Sequence, residues 1–112
     1  METIKSADYA RRANIAAMVS EVGPIYSSRF HGWLITNWPM WESFRAAADK
    51  VRDRGFRDYS AYVIVNVLRW RADVRGEKFS MTNTMIPDLA RLYNALYGPL
   101  FKTSTRFGKE AT

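Results

Sequence analysis

Cysteine is absent from these 112 residues, and histidine occurs once, as His31. Without cysteine there is no disulfide scaffold, no thiolate metal site and no thiol nucleophile. A single histidine excludes His-based zinc sites and any histidine pair. No apolar run approaches the ~18 residues of a membrane span. The opening Met1-Glu2-Thr3-Ile4-Lys5-Ser6 is polar and has no apolar h-region, so no secretory signal is expected. What is present is one ordinary domain's length of chain, 47% hydrophobic. About two-thirds of the extended-chain surface is buried at this size, enough for a core without staples. The expectation is a soluble intracellular protein.

Glycine and proline punctuate the chain at Gly23-Pro24, Pro39, Gly55, Gly76, Pro87 and Gly98-Pro99. The first segment predicts a helix from about Ser6 to Val22. Its Ile15, Met18, Val19 and Val22 recur at i, i+3, i+4 and i+7. Residues 24 to 37 read as a connector, in which Trp33-Leu34-Ile35-Thr36 is apolar and partly β-branched. A second helix starts at Asn37 or Trp38, with Pro39 in its first turn, and ends at Gly55. Trp41, Phe44, Ala48 and Val51 mark its buried face. Ser60 is placed to cap a third helix, to about Asp73, with Ala61, Ile64, Val65, Leu68 and Ala72 inward. Phe79 and Met81 alternate with Ser80 and Thr82, the pattern of a short strand. A fourth helix runs from Thr84–Pro87 to Gly98 on Leu89, Leu92, Tyr93 and Leu96. Leu100 to Arg106 again alternates like a strand, and residues 107–112 form a tail. The order predicts a mainly α (α+β) fold of winged-helix type. It has three helices and a two-stranded antiparallel sheet over residues 38–106, with an extra N-terminal helix and connector over 1–37.

Within residues 38–106 a set of pieces stands in fixed order: Arg54-Gly55, Tyr59-Ser60 and Ile64…Leu68-Arg69-Trp70. Phe79…Met81…Asn83, Pro87-Asp88-Leu89-Ala90-Arg91-Leu92-Tyr93 and Gly98…Phe101 follow. By these pieces the segment resembles a family of small proteins encoded by phages and prophages. Thr82 stands where the family carries Asn, and Thr84 where a third Asn can occur. The resemblance implies a phage origin, the same element order, and a location in the host cell cytoplasm. It supplies no activity and no catalytic residue.

Seventeen Lys and Arg against eleven Asp and Glu give a net charge of +6. The excess is concentrated between residues 45 and 78. There Glu42–Arg45, Arg45–Asp49 and Asp49–Arg52 fall at i, i+3 or i, i+4, the spacing of an ion-paired helix face. Less compensated are Arg54, Arg57, Arg69, Arg71, Arg75 and Lys78, with Lys102 and Arg106 on the last strand. Together they predict a phosphate-contacting surface, set against the alternative of a solvated surface with cations at helix C-termini. The candidate recognition helices are thin. The third exposes Tyr62, Asn66, Arg69 and Asp73, and the fourth Asp88, Arg91 and Asn94, so backbone contacts would outweigh base readout.

Trp33, Trp38 and Trp41 lie within nine residues. They read first as a core cluster, with Trp33 and Trp38 as the alternative anchors of a protein-binding patch. On the first helix Arg11 and Arg12 stand opposite the apolar stripe, which serves docking on the same core, pairing with a second copy or binding a host protein. No acidic pair has a spacing that demands metal or acid–base chemistry, and Ser60, Ser80 and Ser104 have no histidine nearby. No Gly-rich phosphate loop occurs. The sequence therefore points to a non-enzymatic protein without metal or cofactor. Its partner is nucleic acid, DNA first, or a host protein that it inhibits or redirects. A homodimer is compatible with either, and a membrane is not expected.

Overall fold

The three long helices end just before the glycines that punctuate the chain, Gly55, Gly76 and Gly98, and among the described residues the intervening segments do not form the expected sheet. The computed structural model describes residues 10–19, 26–79 and 81–103. Two compact units divide the chain, Met1–Trp38 and Pro39–Thr112.

In the first unit, α1 covers residues 10–19 and buries Ile15, Ala16 and Val19. Its expected ends, Ser6 and Gly23-Pro24, lie outside the described residues. The connector contains a helix, α2 (Phe30–Thr36), where Trp33–Thr36 had looked strand-like. Phe30, Trp33 and Leu34 are buried at i, i+3 and i+4, so one helical turn hides all three. Asn37 stops this helix: both its backbone N–H (2.7 Å) and its side-chain amide (3.1 Å) donate to the Trp33 carbonyl. Tyr26, Phe30 and Trp33 stack in series at 5.5 and 6.0 Å. The Arg12 guanidinium lies 5.5 Å from the Trp38 ring centre.

The second unit is built on α3 (Trp38–Asp53), α4 (Ala61–Arg75) and α5 (Ile86–Tyr97). Trp41, Phe44 and Ala48 of α3 are buried at the expected spacing. The inward residues of α4 are also those expected, Ala61, Ile64, Val65, Leu68 and Ala72. Ser60 occupies the N-cap position of α4, but its side chain makes no capping hydrogen bond. Gly76 closes α4 in the left-handed region at φ 71°, a conformation that costs glycine little, and its N–H returns to Ala72 and Asp73. Phe44 and Tyr93 both pack on Phe101, at 5.3 and 5.4 Å between ring centres.

A polar chain ties α3 to α5. Glu42 and Asp49 flank Arg45 at 3.3 and 2.6 Å, and the Tyr93 hydroxyl donates to the other Asp49 oxygen at 2.6 Å. Arg52 donates to the Gly98 carbonyl at 3.1 Å. Tyr93 is fully buried, and burial followed by the bond to Asp49 pushes its phenol up to about 12.

The two-stranded antiparallel sheet of a winged-helix domain is not formed: the described residues are mainly helical and contain no strand. Among them the pairing outside the helices is an isolated parallel bridge between Tyr59 and Phe101. Tyr59 N–H donates to Leu100 at 2.9 Å, and Lys102 N–H donates to Tyr59 at 3.2 Å. Side chains take the place of a partner strand. Asn94 accepts from the backbone N–H groups of Leu100 (2.9 Å) and Phe101 (3.1 Å) and donates to the Phe101 carbonyl (3.0 Å). Arg69 donates to the Met81 carbonyl, and residues Asn83–Met85 close into a 3₁₀ turn instead of extending Phe79–Thr82. Backbone groups satisfied this way have no need of a ladder. Ser80 and residues 104–112 lie outside the described residues.

Candidate partner-binding surface on α3 and α4

Helix α4 carries two apolar stripes. One is the buried set given above. The other is Val63, Val67, Trp70 and Val74, which all face solvent. Their steps of four, three and four residues place them along one face for about three turns. Trp70 is 64% exposed and Val74 66%. These values belong to residue types ordinarily hidden, on the helix that supplies much of the core.

Beside this stripe α3 and α4 leave a groove of about 410 Å³. From α3 come Ser43, Ala46 and Ala47, small side chains at i, i+3 and i+4 that leave space over the helix backbone. From α4 come Val63 and Val67. The charged residues on its lining are Lys50, Arg71 and Arg75, with no carboxylate among them. Arg75 also borders a smaller cleft that includes Pro39, Met40, Glu77 and Lys78. Its Nε lies 3.0 Å from Glu77. Lys50 and Arg71 are exposed and form no ion pair among the described residues.

The expected phosphate-contacting residues are only partly brought together. Arg71, Arg75 and Lys78 lie along the groove and its adjoining cleft. Arg54 is exposed in the turn after α3, and Arg57 borders a different cleft with Phe56 and Pro99. Lys102 belongs to a third cleft with Tyr62 and Pro87, and follows the bridge residue, not a strand. Arg106 lies outside the described residues. Arg69 is engaged in the fold: it donates to Asn66 (3.1 Å), Asn83 (3.3 Å) and Met81 (3.4 Å), with its guanidinium 5.7 Å from the Phe79 ring centre.

Trp33 and Trp38 are 9% and 2% exposed, in keeping with the core cluster read first and not with the alternative of partner-binding anchors. Their apolar neighbours are Phe30 and Leu34 in sequence, and the local helix turns them inward. On α5, Asp88, Arg91 and Asn94 are not a solvent face. Asp88 is fully buried in the first turn with Arg91 at 3.6 Å, and Asn94 holds residues 100 and 101. The residues missed were Lys50, Val63, Val67, Trp70 and Val74. The signal that marks the last four is their 4-3-4 spacing.

Among the described residues no three His, Asp or Glu side chains gather as a metal set. No described helix is long and apolar enough to cross a membrane. Comparison with protein-family models, curated proteins and solved structures finds no match to this chain.

Proposed function

We propose that this chain is a small non-enzymatic binding protein that docks a protein partner on the outer face of α4 and the groove beside it. The observation that carries this reading is the exposed stripe Val63, Val67, Trp70 and Val74. A contiguous apolar patch on a small domain marks an interaction site, and an exposed Trp beside Arg suits an interface anchor. The resemblance of residues 38–106 to phage and prophage proteins supports a viral origin. It also supports a host protein as partner, inhibited or redirected in the host cytoplasm.

The test is quantitative affinity capture from bacterial lysate with the wild type and with Trp70→Ser/Val67→Ser, both shown folded by circular dichroism. A prey protein retained by the wild type and lost by the variant supports the reading. Equal recovery of every prey by both proteins refutes it.

A second reading, DNA binding through phosphate contacts, is favoured by one observation. Arg54, Arg57, Arg71, Lys78 and Lys102 are exposed and carry no ion pair among the described residues. Fluorescence anisotropy with a ~30-bp duplex at several salt concentrations checks it. Affinity should fall with a log–log slope near −0.9 per phosphate neutralised. No binding at low salt removes this reading.

A further inference from the structure

We propose that the α3–α4 groove receives an acidic amphipathic helix of the partner protein, held by apolar side chains in the groove and by carboxylates facing Lys50 and Arg71. This rests on the partner-binding reading above and adds the chemical class of the partner.

Shape points to a helix. Val63 and Val67 line the groove, and the stripe they begin continues along α4 through Trp70 and Val74 outside the lining, eleven residue steps or about 16 Å at 1.5 Å per residue, the length of a three-turn anchor segment. The small residues Ser43, Ala46 and Ala47 let an incoming helix approach α3 closely, while Val63 and Val67 form a stiff, branched wall. Recognition of an amphipathic helix in such a groove is read as anchors at i, i+3 or i+4, and i+7.

Charge selects among the occupants. The charged side chains lining the groove, Lys50, Arg71 and Arg75, are all cationic and exposed, and two of them, Lys50 and Arg71, lack ion-pair partners among the described residues. A carboxylate-flanked helix complements them. A second copy of this chain, at net charge +6, brings more cations than anions to the interface. A nucleic acid would neutralise Lys50 and Arg71 and could stack on Trp70, but it would leave Val63, Val67 and Val74 uncovered, since valine offers phosphate and bases neither charge nor a stacking face.

The probes are three synthetic 18-residue helical peptides sharing one apolar register of Leu at i, i+3, i+4 and i+7, flanked by Glu, by Gln or by Lys. Each is titrated into the ¹⁵N-labelled full chain, with anisotropy for affinity and amide shifts for location. The expected result is binding by the Glu peptide about tenfold tighter than by the Gln peptide, and none by the Lys peptide. The largest shifts should fall at Ala46, Ala47, Val63 and Val67. Lys50→Glu/Arg71→Glu should lose that preference while circular dichroism and the denaturation midpoint stay unchanged, because both positions are exposed. Equal binding of the Glu and Gln peptides overturns the charge assignment. Failure of all three peptides, with the Trp70→Ser-sensitive capture intact, overturns this inference alone. Failure of both removes the docking reading as well. A concentration-dependent dimer abolished by Val67→Glu, or duplex DNA shifting the same amides, assigns the groove to a different occupant and overturns the inference.

Discussion

Replacing Tyr93 with phenylalanine removes one hydroxyl from the polar chain that joins α3 to α5. That hydroxyl donates 2.6 Å to Asp49, whose second oxygen is held at 2.6 Å by Arg45. A hydrogen bond to a charged group contributes roughly 1.5–3 kcal/mol. The Asp49 side chain is partly exposed, so water takes over some of that role. The variant should therefore lose about 1–2 kcal/mol at pH 7. The alkaline limb gives a sharper test. The folded phenol is pushed up to about 12, while the unfolded one titrates near its ordinary value of 10.0. Between these values the native state keeps a proton that the unfolded chain has lost, so the Tyr93 contribution is complete below pH 10 and falls as pH rises toward 12. The loss is about 1.4 kcal/mol by pH 11 and about 2.7 kcal/mol beyond pH 12. The phenylalanine of the variant cannot titrate, so the stability gap between wild type and variant should shrink by about 1.4 kcal/mol between pH 9 and 11. Urea denaturation of both proteins at each pH measures the gap. A gap that stays constant would falsify the assignment, as would an absorbance titration in which all six tyrosines of the native chain ionise together near pH 10.

Asn94→Leu strips the Leu100 and Phe101 N–H groups of their shared acceptor and should cost roughly 2–4 kcal/mol by denaturation midpoint. Asn94→Asp, which keeps the acceptor, should cost clearly less, and equal costs would refute the role given to that oxygen. Gly98 sits at φ 97°, ψ 164°, a region that side chains rarely enter, and a Cβ there would lie 2.9 Å from an Arg52 nitrogen. Gly98→Ala should cost about 1–3 kcal/mol, most of it persisting in an Arg52→Ala background, because backbone strain and not the flexible Arg is the larger obstacle. Arg69→Ala should speed amide exchange at residues 81–85 severalfold, with a midpoint change of only about 1 kcal/mol. Unchanged exchange there would show that Arg69 does not hold the 3₁₀ turn.

The long helices were legible because their apolar residues repeat with helical period over three or more turns. Ala61, Ile64, Val65, Leu68 and Ala72 predict the buried face of α4 without any tertiary information. Helix α2 was not legible. Its seven residues make only about two turns, and the aromatic and β-branched run from Trp33 imitates a strand. The expected strands fail for a different reason. Alternation over Phe79–Thr82 or Leu100–Arg106 reports only that every second residue is apolar. It does not report whether the backbone bonds a neighbouring strand or distant side chains, here Arg69 and Asn94. The same limit hid the interior role of Asp88, Arg91 and Asn94, polar residues that a helical projection assigns to solvent. The site was half legible. Arg71, Arg75 and Lys78 stand out by charge. Lys50 was not singled out among the cations of its helix, and the Val63–Val74 stripe was overshadowed by the core stripe of α4.

That second stripe sets stability against association on a single helix. Leu68 and Trp70 are two residues apart, yet one is buried in the core and the other faces water. Burial of Leu68 stabilises the fold, whereas Trp70 and Val74 contribute little to it while raising the tendency to self-associate. A net charge of +6 opposes that tendency at long range. On the docking reading, Lys50 and Arg71 act in both directions: they repel further copies of the chain and attract a carboxylate-bearing helix. The groove can then remain open in the free protein and close only over a partner of opposite sign.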